Sequence, residues 1–165
     1  AQALDTRIKR VGIFVNADVE TIEAARAGLG LDYVQLHGDE SPEQCARWGK
    51  AAIKALCVRH AADLARLQKY SSCDIVLLDA AAPGLYGGTG RCADWSLAAQ
   101  AVRSGMSVLL AGGLTPENVA EAIALVQPFG VDVAGGVEVA PGKKDHDKVR
   151  AFIAAARAAA DQIRN

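Results

Sequence analysis

At 165 residues the chain is long enough for one good hydrophobic core and too short for two domains of ordinary size, so 1–165 reads as a single domain. A hydrophobic share of 51% against 22% charged residues excludes a disordered segment, and a formal charge of −1 supplies no basic field for nucleic acid. The apolar runs are four to six residues long, far from the roughly 20 that cross a bilayer, and AQALDTRIKR lacks the apolar stretch of a signal peptide, which points to a cytoplasmic protein with no membrane partner.

Six short apolar runs are predicted as strands: VGIFV (11–15), YVQL (33–36), AIKAL (52–56), IVLL (75–78), VLLA (108–111) and VDVA (131–134). Most are continuous rather than alternating, as expected of strands covered on both faces in a parallel sheet. Helical segments fall between them. Asp18 is a cap for the first, and Ser41-Pro42-Glu43-Gln44 combines a capping serine, a proline at the first helical position and a glutamine three residues after the cap. A weaker helical pattern covers 61–69, and Asp94 is a candidate cap for the next helix. Thr115-Pro116-Glu117-Asn118 repeats the cap and proline, and Asp145 precedes a final alanine-rich helix over about 146–163. Six strand-helix alternations predict an α/β protein with a parallel sheet, either open and doubly wound or a (β/α)8 TIM barrel. No G-x-G-x-x-G follows the first strand and no P-loop lysine follows a glycine-rich turn, which weighs against nucleotide-binding open sheets.

Nearly every strand ends in a residue suited to chemistry or to close ligand approach: Asn16, His37, Cys57 with Arg59, Asp79, Gly112-Gly113 and Gly135-Gly136. Barrel enzymes build their sites at the carboxyl ends of several strands at once, with phosphate after strands seven and eight. The Gly-Gly pairs follow the last two runs, where bare backbone N–H groups can approach a phosphate, although glycines also serve simply to make tight turns. Counted back from those pairs, the first run becomes strand three, so about six βα units (strands 3 to 8) are present and the first two are missing. Cys45, Cys57, Cys73 and Cys92 show neither CxxC pairing nor zinc-finger spacing and read as thiols; no metal is expected.

RVGIFVN, VQLHGDES, LLDAAAPGLYGGTGRCADWSL, LLAGGLTPENV and GVDVAGGVEVAPGKKDHDKV resemble successive blocks of the phosphoribosylanthranilate isomerases of tryptophan biosynthesis, in that family's order and at similar spacing. The resemblance covers nearly the whole chain from Arg10 onward. It implies a (β/α)8 barrel that performs an Amadori rearrangement of a phosphosugar, N-(5-phosphoribosyl)anthranilate, to 1-(2-carboxyphenylamino)-1-deoxyribulose 5-phosphate, without metal or cofactor. One group protonates the furanose ring oxygen and another removes the proton from C2. Asp79 matches the family's general acid, and must then hold a proton near neutral pH, which a partly desolvated strand end favours. His37 and Asp132 match residues that orient the substrate, and Gly112, Gly113, Gly135 and Gly136 match the phosphate-binding turns. AGGVE stands where the family often has serines, so backbone donors survive and hydroxyl contacts do not. The 80–93 segment matches a loop that closes over substrate. Nothing matches the family's general-base cysteine in a Lys-Ile-Cys-Gly-like first strand, or the arginine that grips the anthranilate carboxylate. Cys57 aligns with a position that is usually not cysteine and is not assigned that role.

Two other readings compete. Lys54 inside a strand suggests a Schiff-base aldolase, since a desolvated lysine becomes nucleophilic. Alternatively the chain is a catalytically inactive truncated barrel whose open edges at 11–15 and 131–134 seek a partner, as a homo-oligomer or by association with a missing N-terminal segment.

Overall fold

The structure is a computed structural model that describes residues 8–79 and 95–164. Six parallel strands form one sheet: β1 (Val11–Phe14), β2 (Tyr33–Leu36), β3 (Ala52–Cys57), β4 (Ile75–Asp79), β5 (Val108–Leu110) and β6 (Gly130–Val131). Each strand pairs with its successor, in the order β1-β2-β3-β4-β5-β6. That order decides between the two expected architectures. A doubly wound sheet reverses direction at a switch point, whereas here the winding never reverses, so every crossover lies on the same side.

Side-chain parity shows the consequence. Val34, Leu36 and Ala52 pack with Ile22 of α1 (Val19–Leu29) and Cys45 of α2 (Pro42–Ala46). Val76, Leu78, Val108 and Leu110 pack with α4 (Trp95–Arg103), α5 (Val119–Val126) and α6 (His146–Arg164). The opposite parity, Tyr33, Ile53, Ala55, Ile75, Leu77, Leu109 and Ala111, forms a cluster with no helix residue in it. One face thus carries the helices and the other lines a concave interior, which is a six-stranded arc of a barrel wall. On α5, Val119, Ala122, Ile123 and Val126 are buried at the 3–4–7 spacing of a helix seated on a sheet, each larger side chain contributing about 1.5–3 kcal/mol.

The helix starts follow the predicted caps closely. Asp18 Oδ1 accepts from the Thr21 amide at 2.7 Å, Ser41 and Gln44 form a reciprocal capping box, and Asp145 Oδ1 accepts from the Asp147 and Lys148 amides. Asp94 lies outside the described residues. Three expectations are corrected. The segment from Thr115 is not yet α-helix, because Asn118 folds back to accept from the Thr115 amide at 2.8 Å and to donate to Gly113 O at 3.0 Å, and α5 begins only at Val119. The 61–69 segment is broken into two 3-10 turns around a single α-turn, α3 (Leu64–Leu67). The run at 131–134 pairs over Gly130–Val131 alone, and the chain then enters a 3-10 turn at Gly135–Val137 and a small hairpin, β7 (Glu138–Ala140) with β8 (Lys143–Lys144). No helix among the described residues is long and apolar enough to cross a membrane.

Candidate active site

Because all six strands are parallel, their carboxyl ends share one rim, and odd-even parity decides which side chains face the interior. His37 continues the interior parity of Tyr33 and Gln35 on β2, Asp79 that of Ile75 and Leu77 on β4, and Asp132 follows β6 directly, its amide donating to Leu110 O at 2.8 Å. His37 Nε2 stands 3.8 Å from Asp79 Oδ2, both side chains being largely covered. On the other side of the ring Gln35 Nε2 lies within hydrogen-bond distance of His37 Nδ1, at 2.9 Å. Gln35 is itself 5% exposed, so the ring is anchored from below by a buried amide.

Asp132 sits at the edge of the sheet with solvent access. Loss of surrounding water raises its carboxyl above the ordinary value, and the negative charge of Asp79 raises it further, while His37 and Lys144 act the other way. Solvent reaching the side chain keeps this a modest bias. Asp79, His37 and Asp132, three of the residues singled out in the sequence, therefore form one electrostatic group.

The glycine pairs lie on the same rim. Gly112 and Gly113 follow β5 with φ of 87° and 63°, a left-handed pair that turns the backbone over and that side chains rarely adopt. Gly135 and Gly136 open the 3-10 turn after β6, and a Cβ on Gly136 would overlap the Leu114 carbonyl, so the two turns are packed backbone to backbone. Lys144 reaches back to donate to Ala134 O at 2.8 Å and to Glu138 at 2.7 Å, which puts a cation beside the second turn. The 80–93 segment, expected to close over substrate, lies outside the described residues, as does Cys92.

Lys54 does not belong to this group. It shares the helix-facing parity of Ala52 and is 1% exposed, on the far side of the sheet wall from the rim. Its ammonium donates to Leu36 O (3.2 Å), Gly38 O (2.6 Å) and Glu40 Oε2 (2.9 Å) and lies 5.9 Å above the Tyr70 ring. A lysine with every proton engaged and a carboxylate partner is no Schiff-base nucleophile, so the aldolase reading is set aside. Glu40, which the sequence reading passed over, completes the arrangement. Its carboxylate accepts from the Asn16 amide at 2.8 Å and from the Gly38 amide at 2.9 Å. Burial alone would raise its pKa, but the hydrogen bond from Lys54 and the backbone amides outweigh that and hold it below the ordinary carboxylate range. Lys54 and Glu40 thereby tie the middle of β3 to the ends of β1 and β2 and fix the backbone on both sides of His37. A strand lysine in an apolar run was the available signal, because a buried ammonium requires a buried anion nearby.

The profile of the family described as N-(5'-phosphoribosyl)anthranilate (PRA) isomerase matches residues 1–155. The chain belongs to that family. It is 53% identical over 151 residues to the N-(5'-phosphoribosyl)anthranilate isomerase of Magnetococcus marinus, covering 92% of this chain and 71% of that protein. Among solved structures, the phosphoribosyl anthranilate isomerase of Thermotoga maritima superimposes with a TM-score of 0.84 at 42% identity, over 94% of this chain and 76% of that one. An isomerase of the same kind, solved with reduced 1-(o-carboxyphenylamino)-1-deoxyribulose 5-phosphate, matches with a TM-score of 0.79 at 40% identity, over 94% of this chain and 74% of that one. The parallel six-stranded sheet described above is thus that of an isomerase-family barrel wall.

Proposed function

We propose that the protein acts as a phosphoribosylanthranilate isomerase, converting N-(5'-phosphoribosyl)anthranilate to 1-(2-carboxyphenylamino)-1-deoxyribulose 5-phosphate. The observation that carries this is the shared rim: an Asp79–His37–Asp132 group beside two backbone-lined glycine turns. Asp79 protonates the furanose ring oxygen, the C1–O bond breaks, and the anthranilate nitrogen takes up the resulting deficit at C1 as an iminium. Loss of the C2 proton to a base gives an enolamine, which tautomerises to the ketone. His37 orients Asp79 and the sugar, Asp132 addresses the sugar hydroxyls, and the amides of Gly112, Gly113, Gly135 and Gly136 hold the phosphate. The small change in charge asked of each residue suits a site that works by positioning and proton transfer.

We further infer that the six strands are strands three to eight of the barrel and that the base enters with two more βα units. Two findings support this. The chain spans 70–76% of the length of the first five relatives it matches. On β1 and the residue after it, the interior-parity side chains Val11, Ile13 and Val15 are 42%, 64% and 54% exposed, an apolar stripe along a strand edge that has no further partner strand among the described residues and where further wall would pack. The chain would then associate, with those units or with another copy of itself. The test is turnover of N-(5'-phosphoribosyl)anthranilate by the chain alone and after addition of a βαβα segment carrying the family's first-strand cysteine. Activity that appears only with the segment supports the assignment; full activity without it means that another base serves. A complemented protein that binds the product analogue yet never turns over would overturn the isomerase reading.

A further inference from the structure

At the opposite end of the sheet, where β4 and β5 begin, lies a cavity of about 270 Å³ lined by Gln68, Ser71, Cys73, Asp74, Ser104 and Ser107 among others. Cys73 forms part of its wall and is otherwise buried, at 8% exposure. Behind it, in the same apolar cluster, sits Cys45 of α2, which is fully buried. The two thiols belong to one buried apolar cluster and interact through their side chains. Neither takes part in the rim chemistry, and a polar cavity ending on one of two interacting thiols is not explained by packing.

We infer that Cys73 is a thiol-modification site reached by small disulfides through this cavity, with Cys45 placed to resolve the adduct. The surroundings distinguish the roles of the two thiols. Hydrogen bonding from Cys45 and from Ser72, together with the nearby Lys54 charge, holds the Cys73 thiol below its ordinary value despite burial. The Cys45 thiol is pushed the other way, first by its interaction with Cys73 and then by burial. Cys73 lines the cavity while Cys45 is closed off behind it, so Cys73 is the attacking thiolate and Cys45 the reserve thiol. In the first step the Cys73 thiolate attacks one sulfur of a disulfide RSSR; that S–S bond breaks, and one RS⁻ leaves with the electron pair and takes up a proton from solvent. In the second, Cys45 gives up its proton and attacks the Cys73 sulfur, expelling the second thiol. Two protein thiols are oxidised to a Cys45–Cys73 disulfide and RSSR is reduced to two RSH. Asp74 in the cavity wall favours a disulfide with cationic ends over an anionic one.

Cystamine is a suitable probe, since it is small and cationic. The folded chain is incubated with it, quenched in acid, alkylated and mapped by peptide mass spectrometry, with circular dichroism to verify the fold. The expected result is a Cys45–Cys73 cross-link in the parent chain, a cysteamine adduct on Cys73 in Cys45→Ala, and Cys45 reacting at least tenfold more slowly in Cys73→Ala. Adducts confined to Cys57 or Cys92 would overturn the inference. So would equal rates at Cys45 with and without Cys73, which would mean that the whole cluster opens. Should a variant fail to fold, the parent map still decides: no cross-link, or a Cys73 adduct that Cys45 never resolves, refutes the pairing. None of these readouts depends on isomerase activity.

Discussion

Replacing Lys54 with methionine keeps the volume and the apolar stem and removes only the charge. The structure fixes what is lost: one ammonium with three acceptors, Leu36 O, Gly38 O and Glu40 Oε2, all behind the sheet wall. Glu40 is left at 3% exposure with two backbone amides and no cation. Breaking a buried pair by removing one partner costs about 3–5 kcal/mol, and at about 2–4 °C per kcal/mol for a chain of this size the midpoint should fall by roughly 10 °C. The pH dependence gives a sharper check. In the parent, Glu40 is held below its ordinary value, so its contribution is present above the unfolded carboxylate pKa and is lost as pH falls through the folded one. In Lys54→Met desolvation goes unopposed by the cation, and the carboxyl should move up; protonation then relieves the penalty, so the gap between variant and parent should narrow from pH 8 to pH 5. Urea denaturation at fixed protein concentration measures both. The double variant Glu40→Gln/Lys54→Met should recover much of the loss. A deficit under about 1 kcal/mol, or one constant with pH, would refute the view that this pair locks the strand ends.

Four further outcomes are expected. Asp79→Asn in the complemented enzyme should lower kcat by about 10²–10⁴ with KM little changed, as steady-state kinetics would show. Asp132→Asn should leave the protein as stable as the parent or more so at pH 7–8, since the folded state disfavours the ionised carboxyl there, and the gain should vanish as pH falls and Asp132 protonates; thermal melts across that range check the sign. Gly136→Ala forces a Cβ into the Leu114 carbonyl, so it should cost about 1–3 kcal/mol in denaturation and weaken binding of inorganic phosphate in calorimetry. Ser41→Ala removes half of the capping box and should cost about 1 kcal/mol by urea denaturation.

The helix starts at Asp18, Ser41 and Asp145 and five of the six strands were legible because their signals are local: a cap needs only the next three residues, and a buried strand only its own apolar run. What failed was non-local. Thr115-Pro116 carries the letters of a helix start, but Asn118 competes for the same backbone groups through its bonds to Thr115 and Gly113, and that competition is set by the turn at Gly112-Gly113. The truncation of β6 to Gly130–Val131 likewise depends on Gly136 meeting Leu114, a contact between segments more than 20 residues apart. Asp79 and His37 were found because they end strands, and Asp132, inside a predicted run, only through the family resemblance; Glu40 and Gln35 were not, since one lies beyond its strand and the other is an amide inside an apolar run.

Lys54 and Asp79 show why strand-end position was informative and mid-strand chemistry was not. Both lie on neighbouring strands of one parallel sheet, but they differ in parity, and with a side-chain period of two that places one behind the wall and the other at the rim. Sequence spacing alone leaves a nucleophile as a competing reading of a buried strand lysine. Register makes it a tie between backbone carbonyls, because on the helix-facing side it meets Leu36 O, Gly38 O and the Glu40 carboxylate. The charge most expensive to bury is thus used to hold the segment that carries His37, and His37 in turn faces Asp79 at 3.8 Å across the rim. Scaffold and site are joined through the two residues of Leu36 and Gly38 that flank the histidine, so a change at Lys54 should be felt at His37 even though no substrate atom could touch it.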